Sequence, residues 1–408
     1  MGEMTQSKIN VKELKLVLNH IISTNKDLQS KGITPVAINV TGPAGLGKTS
    51  TIRQVGIEAG FKPENIELLN LSSLEEIGDL IGIPVEEYKM LRKVEHDGKT
   101  VTQVKWVAES ALSSYEKAGW TTTTESQMSY APPHWVQDKT GPGILILDDY
   151  TRADQRFTQA VMQLILEQAY ASWALPKGWT IILSSNPDDG LYNVTDQDPA
   201  QKSRYLNVQL GFDAEVWAEW AEANKIDGRC INFILMNPEI IKDDKPEINA
   251  RSITLYFNSI SSIPNFENNL ELIQLLGEGS LGPEVTATFA AFIKHNLDKL
   301  ISTKEILDVD TPFDKVEKAI KKVVKSGTKY RSDIAFVLTT RLLNHIQFTI
   351  TNDELTKDVL KRLEDLITSE VLGSDLKFVM GRKLTNLPHL PALYQLVASD
   401  AVVDSVLE

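Results

Sequence analysis

The chain is poor in cysteine, in positive charge and in long apolar runs, and each shortage removes a class of protein. One cysteine, Cys230, stands among 408 residues. It excludes an intramolecular disulfide framework and a cysteine-held metal cluster, and predicts a buried or half-buried thiol in a reducing compartment. Six histidines are scattered through the chain, with no pair at metal-ligand spacing, so zinc is not expected. Lys and Arg number 42 against 55 Asp and Glu, a net charge of −13. That balance speaks against a protein that coats nucleic acid, although a local basic patch such as residues 318–329 stays open. It favours work on other proteins or within a large assembly. No apolar run reaches the roughly 20 residues of a membrane span, and the first ten residues are polar, without a signal core. A cytoplasmic protein with no membrane segment is expected.

What remains is an ordinary globular composition, 42% hydrophobic and 24% charged, long enough for about two to three domains. Apolar residues at helical spacing over residues 11–28 predict an amphipathic helix. Short apolar runs at 36–40, 66–71, 144–147, 180–184 and 206–210 read as buried strands, with helices over 48–59 and 157–170 between them. Strands alternating with helices imply a parallel sheet covered on both faces. Residues 92–143 break the pattern: rich in Lys, Thr, Gln and Ser, they read as an insertion with partial helix at 104–117 and mobile loops. From about residue 212 the strand signal fades. Helices are predicted over 213–224, 230–236, 252–263, 270–277, 283–300, 312–326, 332–346, 352–370 and 392–403.

The chemistry concentrates in the strand-rich part. Gly42, Pro43, Ala44, Gly45, Leu46, Gly47, Lys48 and Thr49 spell the phosphate-binding loop G-x-x-x-x-G-K-[ST], between a predicted strand and a predicted helix. Glycines let backbone N–H groups curl around phosphate oxygens, and the helix turns its positive end toward them. Lys48 is expected to reach the β- and γ-phosphates of ATP, the Thr49 hydroxyl to bind Mg²⁺, and Ser50 to join the nucleotide-contacting set. The run Ile144-Leu145-Ile146-Leu147 delivers Asp148 and Asp149 at a strand end. Asp148 suits Mg²⁺, mostly through water, and Asp149 suits the orientation or activation of an attacking water. Asn186, just past the strand at 180–184, offers a neutral amide that can bond both a γ-phosphate and that water.

In this order the motifs resemble the AAA+ ATPases, and more narrowly their MoxR-like, dynein-related branch. The residues that carry the likeness are 42–49, 147–153 (Leu-Asp-Asp-Tyr-Thr-Arg-Ala), 184–187 (Ser-Ser-Asn-Pro), 203–205 (Ser-Arg-Tyr) and 249–252 (Asn-Ala-Arg-Ser), and it covers about residues 34–265. The resemblance implies that Asn186 is the sensor-one residue. Arg204 would be the arginine finger reaching the ATP of a neighbouring subunit, and Arg251 the sensor-two arginine on the nucleotide; Arg152 is a further interface candidate. An arginine suits such posts because its fixed fork of donors matches phosphate oxygens. The chain departs from the family's pattern at two places: Asp149 stands where glutamate is usual, and Thr151 where asparagine precedes the arginine.

The implied organisation is an N-terminal helix (1–33), an α/β nucleotide-binding domain (34–212) with its insertion at 92–143, a helical lid (213–300) and a helical C-terminal region (301–408). Trp217 and Trp220 are expected in the lid's core. The function implied is a ring-forming, hexameric remodelling ATPase acting on a protein partner, which the resemblance suggests carries a von Willebrand A-type domain. The competing readings are a DNA-directed ATPase, a small-molecule kinase, which would have no need of Arg204 and Arg251, and an ATP-dependent switch that barely hydrolyses.

Overall fold

The computed structural model describes residues 7–96, 99–195, 197–241, 245–295, 297, 300–326 and 329–407. The chain divides into two compact units, one through Gly211 and one from Phe212 onward.

The first unit opens with α1 (Val11–Ser30), whose Asn10 caps the helix by accepting from the Glu13 amide. Leu14, Leu18 and Ile21 form its buried stripe, each contributing about 1.5–3 kcal/mol of apolar burial. Buried Asn25 ties the helix to the sheet: its Nδ2 donates to the Val36 carbonyl at 2.9 Å and its Oδ1 accepts from the Val36 amide at 2.7 Å. Then follow β1 (Ile38–Thr41), α2 (Lys48–Glu58), β2 (Ile66–Asn70) and α3 (Ile77–Ile81).

Next comes a block that sequence periodicity misjudges. The chain forms β3 (Ile83–His96), β4 (Lys99–Ala108), α4 (Leu112–Lys117) and β5 (Thr121–Ala131). The three strands make an antiparallel sheet in the order β4-β3-β5. The antiparallel sheet begins at Ile83, ahead of the predicted bound at 92, and 104–108 is strand where a helix was expected. Residues 101–105 are all exposed while Val107 and Met90 are buried, so most of this sheet is open to water. Its low apolar content hides it from a search for buried runs. Residues 97 and 98 lie outside the described residues.

The chain returns to the main sheet with β6 (Gly143–Asp148), α5 (Gln155–Glu167), the small hairpin β7 (Ala169–Tyr170) and β8 (Trp173–Ala174), β9 (Trp179–Ser185), α6 (Pro199–Lys202) and β10 (Leu206–Gln209). The main sheet is parallel throughout, ordered β10-β1-β9-β6-β2. Its inner strands β6 and β9 are apolar and buried along almost their whole length, as covering on both faces requires. This is the P-loop nucleotide-binding α/β fold expected from the sequence.

The second unit is helical: α7 (Ala214–Ala223), α8 (Gly228–Met236), α9 (Ala250–Ile260), α10 (Leu270–Lys294, broken at Gly282), α11 (Thr303–Leu307), α12 (Phe313–Val324), α13 (Ser332–Thr349), α14 (Lys357–Thr368), α15 (Ser374–Thr385), α16 (Pro391–Val397) and α17 (Asp400–Leu407). A two-strand turn, β11 (Lys325–Ser326) with β12 (Lys329–Tyr330), interrupts it. The break in α10 follows from Gly282-Pro283, since proline removes a helix donor and clashes with the preceding turn. One continuous apolar core runs from Trp217 to Val402, centred on Phe233, Phe257 and Phe289, so helices on both sides of residue 300 share it. Trp217 is in this core, whereas Trp220 is 48% exposed. Three residues turn the helix by about 300°, which carries Trp220 about 60° off the buried face. Helices α11 and α15 were not foreseen, and the predicted helix over 283–300 runs past Lys294 into residues of which 296, 298 and 299 lie outside the described residues. Cys230 is fully buried, and burial pushes its thiol well above the usual value.

Candidate functional site

The site forms at the carboxyl ends of β1, β9 and β6, where a parallel sheet presents its loops and where the order of strands reverses direction. From β1 the chain passes to the far edge strand β2, works inward through β6 and β9, and then crosses to the other side of β1 as β10. Three loops consequently converge beside the end of β1.

The first is the phosphate loop. Gly45 and Gly47 sit at φ 79° and 81°, left-handed values that side chains disfavour. Gly42 is required for another reason: a Cβ there would lie 2.6 Å from the Leu210 carbonyl oxygen. Gly47 is the N-cap of α2 and provides no side-chain cap. The first turn of α2 therefore turns its amide groups toward the loop, the arrangement that receives an anion at a helix start. Lys48 is only 8% exposed. Its Nζ donates to the carbonyls of Gly42 at 2.6 Å and Pro43 at 3.0 Å, and to Asn186 Oδ1 at 3.3 Å.

The second loop follows β6. The Thr49 hydroxyl donates to Asp148 Oδ2 at 2.8 Å, bringing together two groups separated by 99 residues. Asp149 adopts φ 53°, ψ 34°, a left-handed conformation that aspartate tolerates better than most residues. Its amide donates to Asp148 Oδ1 at 3.1 Å. Its own carboxylate accepts from the Ser72 hydroxyl at 3.4 Å and lies 3.9 Å from the Arg152 guanidinium. The hydroxyl and carboxylate of Thr49 and Asp148 are hard oxygen donors, the set that Mg²⁺ selects.

The third loop follows β9, where Asn186 is buried beside Lys48. Arg204 lies between α6 and β10, exposed, with no hydrogen bond or ion pair from its guanidinium among the described residues. Beneath it Tyr150 and Tyr205 pack edge to face at 6.1 Å. Burial, with the Asp198 carboxylate adding to it, pushes the Tyr205 hydroxyl up to about 12. Burial likewise raises Tyr150, with Tyr205 and Asp198 contributing and Arg204 opposing.

The fold thus brings together Lys48, Thr49, Asp148 and Asn186, with Asp149 alongside. Arg204 stands at the surface of the same unit. Arg251, the second residue of α9, belongs to the second unit, where Asn249 caps the helix by accepting from the Arg251 and Ser252 amides. A polar belt beneath the site escaped the sequence reading. Asn39 on β1 donates to Asn207 on β10 at 3.0 Å and accepts from Ser185 on β9 at 2.9 Å. The signal was there: an asparagine inside an otherwise apolar run. Among the described residues no group of three or more His, Cys, Asp and Glu side chains is placed to hold a metal, and no helix is long and apolar enough to cross a membrane.

No known sequence family matches the chain, and no curated protein does. Solved structures similar to it include a Thermotoga maritima RuvB variant at 12% identity, covering 89% of this chain and 92% of that one with a TM-score of 0.33. A DNA polymerase III gamma subunit-related protein from the same organism is 14% identical, covering 95% and 99% with a TM-score of 0.27. A putative ATPase from Cytophaga hutchinsonii is 12% identical, covering 86% and 96% with a TM-score of 0.27. Superpositions this loose assign no family; the class of protein rests on the strand order and the convergence of side chains at its site.

Proposed function

We propose that the chain is an AAA+ ATPase that binds ATP·Mg²⁺ at the phosphate loop and hydrolyses it in a ring, and that the ring remodels a protein partner. The observation that carries the ATPase is the pairing of Thr49 with Asp148, alongside Lys48 with Asn186. Four residues from three separate loops meet where a phosphate and its cation would lie. Lys48 would turn from the Gly42 and Pro43 carbonyls to phosphate oxygens, and the first turn of α2 would present its amides to the same anion. Thr49 and Asp148 would hold Mg²⁺, which when bound would supply neutralisation of charge on the phosphates. Asp149 and Asn186 orient the water that attacks.

Arg204 supports the ring. It is an exposed arginine on the loop before edge strand β10, with no guanidinium hydrogen bond or ion pair among the described residues, and that fits a role on the nucleotide of a neighbour. The motif order gives Arg251 the sensor-two role. The MoxR-like assignment rests on the motif order, and with it the hexamer and the von Willebrand A-type partner.

ATPase rate against protein concentration, with sizing in ATP, tests this function. The specific rate is expected to rise as a ring forms. Arg204→Ala is expected to lose about a thousandfold in turnover while still binding nucleotide. A rate per chain that is flat with concentration and indifferent to Arg204 would sink the in-trans mechanism, leaving a kinase or a slow switch. The DNA-directed alternative has one local feature in its favour, the lysine-rich outer face of α12, with Lys315, Lys318 and Lys322 exposed. Stimulation of turnover by nucleic acid would favour it over the protein partner.

A further inference from the structure

Residues 187–195, immediately after Asn186, have no part in the chemistry above, yet they are tied to both of the other loops. The chain leaves β9 exposed at Asp188, Asp189 and Gly190 and reverses, the Asp189 carboxylate accepting from the Leu191 amide at 3.0 Å. The reversal returns Tyr192 to the phosphate loop, where its hydroxyl accepts from the Ala44 amide at 3.1 Å. Three residues on, the Thr195 amide donates to the Thr151 carbonyl at 2.7 Å and its hydroxyl to the Ala153 carbonyl at 3.3 Å. At the near end the Thr151 hydroxyl donates to the Asn186 carbonyl at 3.4 Å. The segment is anchored firmly on the loop that follows Asp149. It touches the phosphate loop through Tyr192 and Ala44.

We propose that this segment is a strap across the phosphate loop, latched by Tyr192, and that nucleotide enters and leaves when the Tyr192–Ala44 hydrogen bond opens. The two ends of the strap differ in kind. The Thr195 end is held by a main-chain hydrogen bond to a buried turn residue, Thr151. The Tyr192 end is a half-buried side chain on a loop that has to accommodate a phosphate. The latch is therefore the end that yields, and Tyr192 is a positioning residue acting on the rates of exchange. The proposal rests on nucleotide binding at residues 42–49 and goes beyond it by naming what controls access.

The test is stopped-flow exchange of a fluorescent ATP analogue, N-methylanthraniloyl-ATP with Mg²⁺, on the full chain as wild type, Tyr192→Phe and Thr195→Val. Losing one neutral hydrogen bond at the latch is expected to speed both association and release about fivefold, leaving the dissociation constant nearly unchanged. Thr195→Val, which keeps the latch and the main-chain anchor, is expected to exchange as wild type. A change in release alone would make Tyr192 a direct nucleotide contact and overturn the strap. Unchanged rates in Tyr192→Phe, with wild type binding normally, would overturn it as well while leaving the ATPase standing. No binding by wild type would remove the ATPase and the strap together.

Discussion

The two units handle buried charge in opposite ways. In the second, Arg341 and Glu222 form an ion pair at 3.5 Å, with side chains 11% and 12% exposed. Arg341 also donates to Asn232 at 3.3 Å and rests against Gly228, where a Cβ would meet its guanidinium at 2.3 Å. Arg229 pairs with Asp227 at 2.6 Å and stacks 3.6 Å over the Phe266 ring. These charges are paired with charges, Arg229 by hydrogen bonds to Asp227 and Arg341 by proximity to Glu222. In the first unit Lys48 is as deeply buried, but it leans on carbonyl oxygens and an amide, and Thr49 on the carboxylate of Asp148. Such partners are easily exchanged for phosphate and cation. A charge paired with a charge is held by both partners, whereas the carbonyl and amide oxygens at Lys48 can give way to a ligand's oxygens.

The contrast can be broken experimentally, beginning with the largest effect. Glu222→Ala strands Arg341 in the interior and is expected to destabilise the second unit by about 3 kcal/mol, read as a lowered melting temperature, with nucleotide affinity unchanged. An equal loss of affinity would show that the two kinds of charge are not separable. Lys48→Ala should do the reverse, weakening nucleotide binding by about 2 kcal/mol, roughly thirtyfold, with folding stability altered by less than about 1 kcal/mol; titration beside calorimetry decides it. Asp149→Glu lengthens the arm that reaches the water and is expected to raise turnover about tenfold, measured by phosphate release. A fall instead would mean that the left-handed backbone at Asp149 has been matched to the shorter side chain.

The smallest effect is on acid stability. Burial holds the His345 imidazole below its ordinary value, with Lys304 and Arg341 acting in the same direction and Glu222 and Glu354 against it. The neutral ring is favoured in the fold. Its contribution is therefore complete above pH 6.5 and is lost as pH falls through the lower folded value. His345→Gln should flatten the acid limb of a pH–stability curve without moving the nucleotide affinity.

The legibility of the sequence follows the same division. The phosphate loop, the Asp148 strand and Asn186 could be read because buried parallel strands are unbroken apolar runs and the groups at their ends stand out against them. The antiparallel sheet of residues 83–131 could not, because largely exposed strands carry little apolar signal and their Thr and Lys resemble loop. The strap at 187–195 was equally hidden: Asn186-Pro187 signals a turn, but nothing local says that Tyr192 folds back onto Ala44. The proximity of Thr49 to Asp148 was expected from motif order, whereas the Asn39 belt needed three strands in register to become visible.

The order β10-β1-β9-β6-β2 has a consequence for synthesis. The strand leading into the phosphate loop is made early, but its neighbours are made late: Asn39 meets Ser185 across 146 residues and Asn207 across 168. As the chain emerges from the ribosome, this apolar strand waits unpaired while the local three-stranded sheet of residues 83–131 can already close on itself. The nascent protein therefore passes through a stage in which β1 has no partner strand on either side and the loops of the site have not yet met.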